Sequence, residues 1–254
     1  MSNSTDAVPN PSERRQRPII AIDGPAGAGK STLAAHLARR FGFLNLETGA
    51  MYRALALKAI ESDLDFDEEQ PLLDLAESTR IRLEPQREGN RVLLDGVDVS
   101  RRIRDNDVTA AASRVSVHPH LRAWMVRQQR ALGANGGVVM EGRDIGTAVF
   151  PDAEVKIFLD ASPEVRGDRR YRQVVIPPDP DDEPVAPHTP TPEELAVQRR
   201  ILSEMKERDE RDRNRPQSPL RPAADAIILD STALTLDEVL GQAEKIVRSH
   251  LAPE

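Results

Sequence analysis

The sequence predicts an α/β domain, strands and helices alternating around one sheet, with a small antiparallel insert. Three observations predict it. Five short apolar runs recur along the chain, a glycine-rich loop joins the first of them to a helical pattern, and residues 63–104 break the alternation with period-two runs punctuated by Gly-Asn and Asp-Gly. At 254 residues the chain can bury a full core and suits one domain with an inserted lobe.

Charge and composition exclude several classes. The chain carries 35 Lys and Arg against 42 Asp and Glu, a net charge of −7, and only eight Phe, Trp and Tyr, so neither a basic field nor a stacking platform points to nucleic acid. Without cysteine there is no disulfide framework and no thiolate chemistry. No apolar run has the length of a membrane span, and residues 1–17 lack a signal-peptide core and read as a disordered tail, so a cytoplasmic protein without a membrane partner is expected.

The first strand covers residues 19–23 and a helix covers 32–41, with Gly42 closing it. Between them lie Gly24, Pro25, Ala26, Gly27, Ala28, Gly29, Lys30 and Ser31, the P-loop pattern in its required strand–loop–helix context. Glycines let the backbone N–H groups converge on phosphate oxygens at the helix N-terminus. Lys30 is placed to reach the β- and γ-phosphates, and the Ser31 hydroxyl to complete the shell of a Mg²⁺ ion. The competing reading is a glycine turn with a solvated lysine.

A second strand at 43–46 leads to Thr48, a candidate N-cap for a helix to about Ser62 that carries Tyr52 and Arg53 near its start. An ordinary capped helix explains those residues equally well. A short helix near Asp67 and runs at 79–84, 91–95 and 97–99 form the antiparallel insert, either a substrate-side lobe or an interaction surface. Residues 106–133 read as two helices broken at His118-Pro119, with Trp124 in the core and Ser113, Arg122, Arg127 and Arg130 solvated by default.

The third strand, 138–140, runs into Glu141-Gly142-Arg143-Asp144-Ile145-Gly146, where open parallel sheets bind ligands, though structural ion pairing would also place an Arg and an Asp there. The fourth strand, 154–160, precedes a helix started by Ser162-Pro163 and carrying Arg166, Arg169, Arg170 and Arg172. It dissolves at Val174 into a proline-rich, acidic excursion, and order returns at the capping box Thr191-Pro192-Glu193-Glu194 before a helix over 198–214. Two arginine-loaded helices around an excursion have the form of a lid. Arg208, Asp212 and Arg215 share one face of the returning helix, as a binding face or as a surface salt-bridge ladder. A fifth strand at 226–229 and a final helix opened by Thr235 complete the chain.

Residues 22–32, Thr48-Gly49-Ala50-Met51-Tyr52-Arg53, Gly142-Arg143-Asp144-Ile145-Gly146-Thr147, Phe150-Pro151-Asp152-Ala153 and the stretch from Lys206 to Arg215 together resemble bacterial cytidylate kinases over residues 18–250. The resemblance implies the P-loop nucleoside monophosphate (NMP) kinase fold: a five-stranded parallel sheet flanked by helices, an NMP-binding insert containing the small antiparallel sheet, and a lid. It divides the chain into a tail (1–17), core (18–62), insert (63–104), core (105–165), lid (166–198) and core (199–254). It implies transfer of a phosphoryl group from ATP, with Mg²⁺, to CMP or dCMP by a monomer. It further implies that Ser113, Arg122 and Asp144 address the cytosine, Arg208 and Asp212 the ribose, and Thr48, Tyr52, Arg53, Arg143 and Arg215 the acceptor phosphate. Lys30, Arg143, Arg208 and Arg215 become the catalytic set, and residues 24–31 with Thr32, Arg169 and Arg170 the ATP contacts. Family members often carry Asp where this chain has Glu141, and the excursion after Val174 is longer and richer in proline than usual.

The chemistry suits arginine. The attacking monophosphate oxygen is already anionic near neutrality, with a second pKa of about 6. No general base is required, whereas repulsion between two polyanions must be neutralised. Two other readings compete: a P-loop kinase of UMP or shikimate, and a non-kinase P-loop NTPase, against which the chain lacks both an Asn-Lys-x-Asp guanine reader and an Asp-x-x-Gly turn.

Overall fold

The computed structural model describes residues 17–86, 89–175 and 191–251. The elements, in chain order, are β1 (Ile19–Asp23), α1 (Lys30–Phe41), β2 (Leu44–Glu47), α2 (Thr48–Glu61), α3 (Glu69–Glu77), β3 (Ile81–Pro85), β4 (Asn90–Leu94), β5 (Val97–Asp98), α4 (Asn106–Val115), α5 (Pro119–Gly133), β6 (Val138–Gly142), β7 (Val155–Asp160), α6 (Pro163–Val175), α7 (Pro192–Asn214), β8 (Ile227–Asp230) and α8 (Leu236–Leu251). Five strands form a parallel sheet in the order β2-β6-β1-β7-β8, and β3-β4-β5 form a separate antiparallel sheet. The tail reading over 1–16 and the excursion over 176–190 lie outside the described residues.

β1 is central because every one of its residues is buried, as a strand covered on both faces must be. Its side chains alternate between two cores. Ile19 and Ala21 join α2, α4 and α5, whereas Ile20 and Ile22 join α1 and α8. Trp124 is buried in the first of these, as expected. The antiparallel insert packs on that same core through Leu83, Val92 and Leu94. Asn90 ties it to the edge of the main sheet by donating to Asn45 O at 2.7 Å and accepting from Glu47 N at 2.9 Å.

Several local expectations change. α1 begins at Lys30, because Gly29 at φ 98° is its N-cap and the phosphate loop runs directly into the helix. Thr48 is not an N-cap: Glu47 holds that place, and the Thr48 hydroxyl donates 2.7 Å to Glu141 O on β6. A tertiary acceptor outcompetes the local one. α7 begins at Pro192, inside the capping box, and runs unbroken to Asn214. A wide turn of helix, Ile145–Val149, was not foreseen: the Val149 and Phe150 N–H groups reach back five residues to Asp144 O and Ile145 O.

Candidate active site

The phosphate loop leaves β1 at Gly24, whose φ of +150° and close seat demand glycine: a Cβ there would lie 2.0 Å from Leu159 O. Gly24→Ala is expected to cost about 3 kcal/mol or more. A thermal melt of the purified variant checks this, and a wild-type melting temperature would refute the tight seat. The loop is roofed from the far side, since a Cβ on Gly27 would meet Met205 Cε of α7 at 2.7 Å and Arg166 O of α6 at 3.2 Å.

Inside the loop, Lys30 is buried and its ammonium donates to Pro25 O at 2.7 Å. Burial first, and then the nearby Arg143 guanidinium, push its pKa down to about 7. Ser31 Oγ donates 2.5 Å to Glu141 Oε1 at the end of β6, a carboxyl whose pKa burial raises. Asp23, the last residue of β1, is pushed up to about 6 by burial, although two backbone N–H groups favour its charged form.

The residues expected to hold the acceptor come from α2, α4, α5, the loop after β6 and α7 with its C-cap. Arg122 of α5, expected in solvent by default, is 1% exposed. It donates to Ser116 O at 3.0 Å and to Asp144 Oδ2 at 2.6 Å, and its guanidinium lies 5.5 Å from the Tyr52 ring centroid. Burial opposes its charge, but Tyr52 and Asp144 hold its pKa above the ordinary value. Arg143 Nε donates to Asp212 Oδ2 at 3.0 Å, and Arg215 lies 3.5 Å from Asp212 Oδ1 and 3.9 Å from Asp144 Oδ1. The face carrying Arg208, Asp212 and Arg215 therefore turns inward, and the surface-ladder alternative is overturned. Burial would raise the Asp212 pKa, yet Arg143, Arg208 and Arg215 together lower it. Arg53 pairs with Glu47.

Two features of this cluster suit a ligand. Arg208 is pushed down to about 10, by burial and then by Arg143, which also disfavours the charge on Lys30. Cations that repel one another in a buried place suit an anion lying among them. Second, Tyr52 Oη, Arg53 Nε, Ser113 Oγ, Arg122 Nε, Arg208 Nε and Arg215 Nη2 are buried and have no hydrogen-bond partner among the described residues. Buried polar atoms are ordinarily paired, so six together call for an outside partner.

Arg169 and Arg170, expected among the ATP contacts, stand on α6. Arg169 donates to Ala28 O at 3.3 Å, Ser231 Oγ at 3.1 Å and Ser231 O at 3.0 Å, and so fastens the phosphate loop to the end of β8. Arg170 is half-buried on α6. Sequence reasoning missed the buried pair of Arg166 with Asp209, 2.7 Å apart, which joins α6 to α7 while Arg166 also donates to Ala26 O at 3.0 Å. It missed too the bracing of the turn after Arg143 by Asp23. Neither has a local signal, because each partner is distant in sequence.

No helix among the described residues is long and apolar enough to cross a membrane. The family profile described as cytidylate kinase matches residues 20–183 and 188–249. A cytidylate kinase of Vibrio cholerae serotype O1 is 44% identical over 235 residues, covering 92% of this chain and 97% of that protein. One from Solibacter usitatus is 46% identical over 238 residues, covering 94% and 95%. Identity of that order, spread over nearly the whole of both chains, leaves no room for a different parentage: the chain belongs to the cytidylate kinase family.

Proposed function

We propose that the cluster around Asp144 and Arg143 is the acceptor site at which this kinase receives CMP or dCMP. The kinase transfers the γ-phosphoryl group of ATP to CMP. The observation that carries the site assignment is the set of six buried polar atoms without a hydrogen bond on α2, α4, α5, α7 and the α7 C-cap. Their chemistry matches a nucleoside monophosphate: guanidinium and hydroxyl donors for phosphate and ribose oxygens, and the Asp144 carboxylate for an exocyclic amine. Cytosine N4 donates where uracil O4 accepts, so a site holding a carboxylate there selects cytosine.

In this reading Arg53, Arg143 and Arg215, with Thr48 and Tyr52, hold the acceptor phosphate, Arg208 and Asp212 the ribose, and Ser113, Arg122 and Asp144 the base. Residues 24–31 and Thr32 hold ATP. An anionic oxygen of CMP forms a bond to the γ-phosphorus while the bond from that phosphorus to the β–γ bridging oxygen breaks, its electron pair leaving with ADP. Lys30, Arg143, Arg208 and Arg215 offset the charge as it redistributes. Ser31 Oγ and the Glu141 carboxylate are hard oxygen donors that fit Mg²⁺ and would hold it, the ion neutralising charge on the β- and γ-phosphates. Arg169 acts by fastening the loop. Donor and acceptor residues all come from one chain, which favours a working monomer, and the nucleotide substrates favour the cytoplasm.

A coupled ADP-release assay across CMP, dCMP, UMP, AMP and shikimate tests this, with CMP or dCMP expected to lead. Asp144→Asn should lower kcat/KM for CMP and reduce the preference for CMP over UMP by about 10-fold or more. A variant that keeps the wild-type preference would refute the assignment.

A further inference from the structure

Asp144 stands at the N-cap position of the wide turn Ile145–Val149, where an aspartate ordinarily spends its carboxylate on the first free N–H groups of the helix. Here it makes no such bond. Its carboxylate faces Arg122 at 2.6 Å and Arg215 at 3.9 Å instead. The capping is done from a neighbouring strand. Asp23 Oδ1 accepts the Ile145 N–H at 2.8 Å and Oδ2 the Gly146 N–H at 2.7 Å, one oxygen for each donor.

The arrangement is built into the sheet. Asp23 pairs in register with Gly142 on β6, so the end of β1 and the start of the loop bearing Arg143 and Asp144 lie side by side. The turn lies close against both: a Cβ on Gly146 would come 3.4 Å from Asp23 Oδ2 and 3.2 Å from Lys156 Cδ. Asp23 is 5% exposed, and its side chain contributes no atom to either nucleotide contact set proposed above. The residue after it is Gly24, where the phosphate loop begins.

We infer that Asp23 is a positioning residue for base selection. By capping the Ile145–Val149 turn in place of Asp144, it releases the Asp144 carboxylate for Arg122 and the cytosine amine, and it sets that carboxylate relative to the phosphate loop. This rests on the assignment of Asp144 to the base.

Asp23→Asn separates the two. Asparagine has the same shape, but its amide keeps one acceptor and turns an NH₂ toward the second N–H, leaving one donor that the Asp144 carboxylate then turns to satisfy. The expected result is a fall of about 10-fold in the ratio of kcat/KM for CMP to that for UMP, with KM for ATP within about 2-fold of wild type. A merely structural loss would instead raise KM for ATP and CMP alike at an unchanged ratio, and that outcome would overturn the inference. Asp144→Asn is measured alongside. Should it leave the ratio unchanged, the assignment of Asp144 itself is wrong; should it lower the ratio while Asp23→Asn does not, only the role of Asp23 fails. If the asparagine protein does not fold, Asp23→Ser, which also keeps one acceptor, is read by the same ratio and the same criteria.

Discussion

Replacing Arg143 by alanine is expected to lower kcat/KM for CMP by about 10²–10³, with the fold intact and ATP binding retained. The guanidinium is mostly covered, 19% exposed. It is close enough to disfavour the charge on Lys30, and it bonds to Asp212 on the acceptor side. Its removal leaves no stranded carboxylate, because Asp212 keeps Arg215 at 3.5 Å. It also relieves repulsion on Lys30, so the empty protein has little reason to destabilise. What is lost is a charge-assisted contact that strengthens as negative charge gathers on the transferring group. Steady-state kinetics in both substrates, with a thermal melt of the same preparation, check this. Unchanged catalytic efficiency would remove Arg143 from the acceptor site.

Asp209→Ala is expected to lower stability by about 3–5 kcal/mol, because it leaves the Arg166 guanidinium buried without its counter-charge. Arg166 is 1% exposed and Asp209 4%. The pair joins α6 to α7, while the same guanidinium also donates to Ala161 O at 2.9 Å and Ala26 O at 3.0 Å. For a chain of this size the melting temperature should fall by roughly 10 °C. The double variant Arg166→Met with Asp209→Leu should recover most of that loss, since two apolar groups leave no buried charge behind. It should still bind ATP more weakly, as Ala26 O loses a donor. Calorimetric melts of both variants decide, and a single variant as stable as wild type would show that the pair carries no buried charge.

How far each residue could be read from the sequence tracks how its signal is carried. Lys30 and Ser31 were legible because a strand, a glycine loop and a helix occur within one short stretch, so local pattern and function coincide. Arg143 and Asp144 were legible as candidates from their place at the end of an apolar run, and the resemblance gave them roles. Arg166 and Asp209 were not legible as a pair, because they stand on different helices with the undescribed residues 176–190 between those helices in sequence. Arg122 misled for a related reason: on its own helix it is one polar position among several, and only the packing of α5 beside the Ile145–Val149 turn buries it against Asp144. Thr48 is of a residue type that caps helices, but its hydroxyl was drawn away by Glu141 O from another strand.

By itself the sequence determined the alternation of elements, the phosphate loop and its chemistry, the insert and the kinship, since these are properties of short stretches and of their order along the chain. Only the tertiary structure decided which charges are buried, which of them pair and which stay open to a ligand. Desolvation and hydrogen bonding between distant segments depend on distances that no spacing along the chain records.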